Sequence, residues 1–106
     1  MKVLITGGSR GIGAACVRAF CKRGDRVAFL YRKSEEAARA LAKETGAEAI
    51  CADIGNSQSA TDAVKLAVER LGGLDVLVNN AGIAQIKLFS DLSDSEIVKL
   101  YKKVHS

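Results

Sequence analysis

Proline and tryptophan are both absent from this chain of 106 residues, and aromatic residues make up only 5% of it. Without proline, the ten glycines must do most of the turning. Histidine occurs once, and the three cysteines, Cys16, Cys21 and Cys51, show no C-x-x-C spacing. That excludes the common zinc sites and reads as reduced, buried thiols in a cytosolic protein. No apolar run approaches the length of a membrane span. The opening MKVLITGG holds one lysine and a short apolar run before Gly7, too short for the core of a signal peptide. Secretion and membrane insertion are therefore disfavoured, and a cytoplasmic location is expected.

What is present suits an ordinary globular domain: 48% apolar and 26% charged residues. The length allows one domain, residues 1–106, with a modest core. Net charge is +4, from 16 basic and 12 acidic residues, which suits an anionic small molecule as readily as nucleic acid and by itself decides nothing.

Short apolar, β-branched runs fall at Lys2–Thr6, Arg26–Tyr31, Ala47–Cys51 and Leu74–Asn79. Segments of helical spacing separate them. The first, Gly11 to Arg23, places Ile12, Ala15, Cys16, Ala19 and Phe20 on one face. The second opens at Ser34 with Glu35 and Glu36 in its first turn, where the helix dipole favours acids, and stops at Gly46. Its apolar side is Ala38, Leu41 and Ala42. The third carries Ala60, Ala63, Val64, Ala67, Val68 and Leu71 before Gly72-Gly73. A fourth helix is predicted from the capping box Ser93-Asp-Ser-Glu96, with Leu92 and Ile97 placed for a hydrophobic staple.

Strand and helix alternating in this way predict an α/β fold, a Rossmann-type doubly wound parallel sheet of four strands in the order 3-2-1-4. The first two crossover helices should cover one face and the third the other. The direction of winding then switches between strands one and four, and ligands bind at the carboxyl ends of the strands there. Two loops are singled out, after Thr6 and after Asn79. With the chain stopping after the fourth helix, strand four, reading LDVLVNN, is expected to be a bare edge and an aggregation hazard unless another chain covers it.

Both loops carry unusual residues. TGGSRGIG, Thr6 to Gly13, sets Gly7, Gly11 and Gly13 at the start of a helix, where naked backbone amides can hold a pyrophosphate. A Walker loop would end in Gly-Lys-Ser/Thr; here Ala14-Ala15 follows Gly13, which excludes that design. The plainer alternative is a tight turn with close helix–strand packing and no ligand. VNNAG, Val78 to Gly82, sets two asparagines where a buried strand ends, costly unless their amides are hydrogen-bonded, or else simple caps of that strand.

Together these stretches resemble the short-chain dehydrogenase/reductase family, whose T-G-x-x-x-G-x-G and N-N-A-G motifs occupy the same two loops. Asp53, in CADI, resembles that family's acid after strand three. The resemblance implies that Gly7, Ser9, Arg10, Gly11, Ile12 and Gly13 line a cofactor's phosphates, that Asp53 and Ile54 flank its adenine, and that Asn80, Ala81 and Gly82 lie beside the ribose. Cofactor choice follows from charge. Relatives that use NAD generally place an acid at the end of strand two. Here that position is Tyr31, followed by Arg32 and Lys33, with Arg10 on the glycine loop. Cations would pair with a 2′-phosphate that an acid would repel, so NADP(H) is expected. The alternative is that Arg32 and Lys33 are merely a solvated loop.

The same resemblance implies hydride transfer between a nicotinamide and a carbonyl carbon, with a tyrosine as acid/base, a lysine four residues later and a serine orienting the oxygen. Tyr31 is followed four residues on by Glu35, and Tyr101 by His105, so neither tyrosine fits. The family pattern departs around Ile97, and the chain reads as the cofactor-binding half of a longer reductase, a truncated frame or a fragment, inactive alone. TGGSRGIG with LVNNAGIA is most similar to the bacterial 3-oxoacyl-[acyl-carrier-protein] reductase branch, with a branch acting on a ketone of modified elongation factor P as neighbour. The implied substrate is a small or carrier-borne carbonyl compound, and the implied assembly a homo-oligomer through the fourth helix or the bare strand edge. A non-catalytic dinucleotide-binding or regulatory module is the competing reading. Nucleic acid is disfavoured, because Lys99, Lys102 and Lys103 have no interleaved aromatics beyond Tyr101.

Overall fold

The computed structural model describes residues 1–9, 11–53 and 55–80, and the backbone of 85–88. Four strands, β1 (Lys2–Thr6), β2 (Arg26–Tyr31), β3 (Glu48–Cys51) and β4 (Val76–Asn79), alternate with α1 (Gly11–Lys22), α2 (Glu35–Thr45) and α3 (Ser57–Leu71). These four strands are parallel and lie in the order β3-β2-β1-β4, as the alternation predicts. The registers bring Thr6 beside Leu30 on one side and Asn79 on the other, so both singled-out loops leave the sheet at the same height.

Successive residues of a strand face opposite layers, and the core divides accordingly. Val3, Ile5, Val27 and Phe29 pack with Ala14 and Val17 of α1 and with Ala38 and Leu41 of α2. Leu4, Ala28 and Leu30 pack on the other face with Ala60, Ala63, Val64, Ala67, Val68 and Leu71 of α3. Each fully buried aliphatic contributes roughly 1.5–3 kcal/mol. An exposed ion pair such as Arg39–Glu35 or Arg70–Glu48 contributes about 0–1 kcal/mol. The two cores therefore hold the sheet. Helix ends follow their sequence signals: Asn56 caps α3 by accepting the Ser59 N–H at 3.0 Å, and Gly46 and Gly72 close α2 and α3 in the left-handed conformation.

Three expectations are corrected. The apolar face of α1 is not Ile12, Ala15 and Ala19, which are exposed, but Gly13, Ala14 and Val17, with Cys16 and Phe20 half-buried. Gly13 is pressed against the loop before it, and that contact sets the rotation of the helix. The cysteines are less buried than expected: Cys16 and Cys21 are intermediate and Cys51 is exposed. Lastly, β4 is not a bare edge. A fifth strand, β5 (Gln85–Leu88), pairs antiparallel along it, Val76 opposite Leu88 and Asn79 opposite Gln85. Gln-Ile-Lys-Leu alternates polar and apolar residues with the period of a strand, and the short return from Asn79 lets it lie back along its neighbour. The β4 edge is thereby covered. The predicted fourth helix, from Ser93, lies outside the described residues. Among the described residues, no helix is long and apolar enough to cross a membrane.

Candidate functional site

At the end of β1 the chain turns sharply through Gly7, at φ +64°, and the turn stays bonded to the sheet: Gly8 N–H donates to Leu30 O at 3.0 Å. A methyl group on Gly8 would overlap Phe29 Cβ, and one on Gly13 would overlap the Gly7 carbonyl oxygen and come within 2.9 Å of Asn80 Nδ2. Both glycines are thus required by close approach, one of loop to strand and one of helix to loop. Gly11, at φ +57°, is the opposite case, since nothing lies within 4 Å of where its Cβ would be. Ile12 beside it is 69% exposed. The first turn of α1, with no acid in it, therefore presents its unpaired N–H groups to an open side.

The second loop is tied to the first by one hydroxyl. Thr6 Oγ1, fully buried, donates to Asn79 Oδ1 at 3.1 Å and accepts the Asn80 N–H at 2.9 Å. Asn80 Nδ2 then donates to the Gly7 carbonyl oxygen at 3.3 Å. The asparagines whose burial needed compensation find it in the end of β1, and Asn80 braces the glycine turn from behind.

In front of the turn lie two adjoining clefts. The larger, about 420 Å³, is lined by Gly7, Ser9, Tyr31, Arg32, Lys33 and Ser34. The smaller, about 190 Å³, is lined by Gly7, Leu30, Tyr31, Arg32, Ala52, Asp53 and Gly55. Arg32 Nε stands 3.7 Å from Asp53 Oδ1, and Asp53 Oδ1 accepts the Gly55 N–H at 3.0 Å. The structure thus gathers Gly7, Ser9, Tyr31, Arg32 and Asp53 around the clefts, with Gly11, Ile12 and Gly13 at the helix start and Asn80 behind. Arg10, Ile54, Ala81 and Gly82 lie outside the described residues.

Chemically the larger cleft suits an anion: the glycine turn and Ser9 stand at one wall, Arg32 and Lys33 at the other. Among the described residues, the groups with shifted acidity are elsewhere. Cys21, at the far end of α1, is pushed up by burial, and the Arg18 hydrogen bond lowers the Glu44 carboxyl on the outer faces of α1 and α2. Among the described residues, no group of three or more His, Cys, Asp or Glu could hold a metal ion. Sequence reasoning missed Gly8, the Thr6 hydroxyl and Ser34. Gly8 carried no signal apart from the large Phe29 across the register, and the Thr6 bond becomes visible only once β1 and β4 are neighbours.

A family model described as short chain dehydrogenase matches residues 1–103, so the family pattern continues past Ile97, in place of the departure expected there. The chain belongs to the short-chain dehydrogenase family. Among curated members it is similar to a cyclic-di-GMP-binding biofilm dispersal mediator protein of Escherichia coli strain K12, 45% identical over 94% of this chain and 40% of that protein. It is also similar to the acetoacetyl-CoA reductase of Paracoccus denitrificans, 36% identical over 96% of this chain and 46% of the reductase. Among solved structures, BdcA in complex with NADPH is 47% identical, with a TM-score of 0.64 over 94% of this chain and 39% of BdcA. A short-chain dehydrogenase from Burkholderia cenocepacia J2315 in complex with NADP is 40% identical, with a TM-score of 0.71 over 95% of this chain and 43% of that one. The chain spans less than half the length of these relatives.

Proposed function

We propose that the chain is the NADP(H)-binding part of a cytoplasmic short-chain reductase that moves a hydride between NADPH and a ketone, the substrate being of the 3-oxoacyl thioester type. The observation that carries the cofactor is the pair Arg32 and Lys33 beyond β2, where an NAD site would have an acid, opening onto the same cleft as Gly7 and Ser9. In this reading the α1 amides from Gly11 to Gly13 hold the pyrophosphate, with Ser9, Arg10 and Ile12 beside it. Tyr31, Arg32 and Lys33 take the 2′-phosphate end, Asp53 and Ile54 border the adenine, and Asn80, Ala81 and Gly82 flank the ribose. The NADPH and NADP complexes of the two similar structures support the cofactor. Acetoacetyl-CoA, named for the P. denitrificans relative, is itself a 3-oxoacyl thioester and supports the substrate class.

A second reading has an observation of its own. The relative at 45% identity is named for binding cyclic-di-GMP, so a non-catalytic or regulatory nucleotide-binding module competes. Calorimetric titration of the purified chain separates the two. NADP(H) is expected to bind more tightly than NAD(H) or cyclic-di-GMP, and Gly11→Asp, which sets a carboxylate against the pyrophosphate, to weaken it by about a hundredfold. Tighter binding of cyclic-di-GMP would favour the second reading, and a preference for NAD(H) would remove the charge argument. The chain alone is expected not to oxidise NADPH with acetoacetyl-CoA.

A further inference from the structure

Arg32 lines both clefts, yet its two sides differ in charge. On the smaller side stands Asp53, 3.7 Å away. On the larger side the described lining residues include Lys33 and no carboxylate. Of the ion pair, Asp53 is the fixed member: besides the Gly55 bond to its Oδ1, its backbone N–H donates to Ser59 Oγ at 3.1 Å. Arg32 is the movable one, 62% exposed and one residue beyond the last ladder pair of Tyr31 with Cys51. The guanidinium thus stands 3.7 Å from a carboxylate on one side of the groove, while Lys33 adds a second cation on the other.

Resting on the NADP(H) reading above, we propose that Asp53 is a specificity-determining residue, holding Arg32 when the bound dinucleotide lacks a 2′-phosphate and yielding it when the phosphate is present. A phosphate monoester carries about −1.5 to −2 charges at neutral pH and offers three acceptor oxygens to the guanidinium fork, so it wins the exchange against one carboxylate. The exchange is not free of cost. Separating the pair and leaving Asp53 facing the new anion both oppose the phosphorylated ligand, whereas the unphosphorylated one leaves the pair intact. Asp53 therefore narrows the preference for NADP(H). Removing its charge widens it.

The test is the ratio of dissociation constants, NAD⁺ over NADP⁺, measured for the chain and for Asp53→Asn, Arg32→Gln and the double variant. Any contact of Asp53 with adenine is common to both ligands and cancels in the ratio. Asp53→Asn is expected to raise the ratio about three- to fivefold, the size of an exposed pair. Arg32→Gln is expected to lower it about ten- to hundredfold, and adding Asp53→Asn to Arg32→Gln should raise it by clearly less than Asp53→Asn alone does, since only the repulsion between carboxylate and phosphate is then relieved. A flat or lowered ratio in Asp53→Asn, or the same rise without Arg32, overturns the proposal. Asp53→Ser serves as the uncharged replacement if Asp53→Asn fails to fold. Should the chain not bind NADP⁺, or Arg32→Gln leave the ratio unmoved, the NADP(H) reading falls and this inference with it. A lowered ratio in Arg32→Gln with a flat Asp53→Asn removes the inference alone.

Discussion

The two ends of the parallel strands use the same residue types in opposite ways. At the amino end, Lys2 Nζ donates to Gly72 O at 2.8 Å, and Arg26 donates to Leu71 O at 3.2 Å and Arg70 O at 3.1 Å. At the carboxyl end, Arg32 reaches a carboxylate only at 3.7 Å and faces an open cleft. The cause lies in the winding. A crossover helix ends at the amino edge of the sheet, where its last carbonyls are unpaired and the dipole is negative, so cations there are absorbed into the scaffold. Helices begin at the carboxyl edge, where N–H groups and positive dipole ends gather. Cations added there, as at Arg32 and Lys33 just before α2, have too little negative charge around them, even with Glu35 and Glu36 in the first turn. On the reading proposed above, an anionic ligand supplies what is lacking.

The contrast can be broken most severely at Gly13. Gly13→Ala drives a methyl into the Gly7 carbonyl and toward Asn80, both backed by the sheet. A loss of about 1–3 kcal/mol in urea denaturation is expected, together with loss of NADP(H) binding. A crossed pair of variants sharpens the comparison. Arg26→Ala should cost about 1–2 kcal/mol in the same assay and leave the NADP(H) dissociation constant unchanged. Arg32→Gln should do the reverse, its stability staying within about 0.5 kcal/mol. The smallest effect is expected away from both ends. Glu44 is held below the usual carboxylate range by the Arg18 hydrogen bond, and Arg18 is correspondingly raised. A carboxylate lowered in the folded state stabilises above its unfolded value, and the contribution is lost as pH falls through the folded one. Glu44→Gln should therefore lower the urea midpoint slightly at neutral pH, with the difference fading in acid and in high salt.

How much of this was legible depended on the strength of each local signal. The runs Lys2–Thr6 and Arg26–Tyr31 match β1 and β2 residue for residue, because a strand covered on both faces is apolar throughout. β3 and β4 are shorter than their runs: Ala47 and Leu74 are buried, yet stand outside the ladder. In α3 the expected stripe is the buried one, since its polar residues leave a single apolar face. In α1, where Ala, Cys and Phe surround the helix, two stripes compete, and a contact with Gly7 that no periodicity encodes decides between them. β5 was missed because four alternating residues are a faint pattern. At the site, the glycines and asparagines announced themselves by type. The Thr6 hydroxyl that joins them depends on β1 and β4 being adjacent, which is a property of the topology and not of either segment.

The register of β2 with β3 ends at Tyr31 and Cys51. Arg32 and Lys33 come immediately after, exposed, outside both cores and outside the ladder. On the reading proposed above, cofactor preference is written in a detachable place. An acid could stand in place of these two cations without disturbing a ladder pair or a core contact, while the glycine turn and its asparagine brace stay as they are.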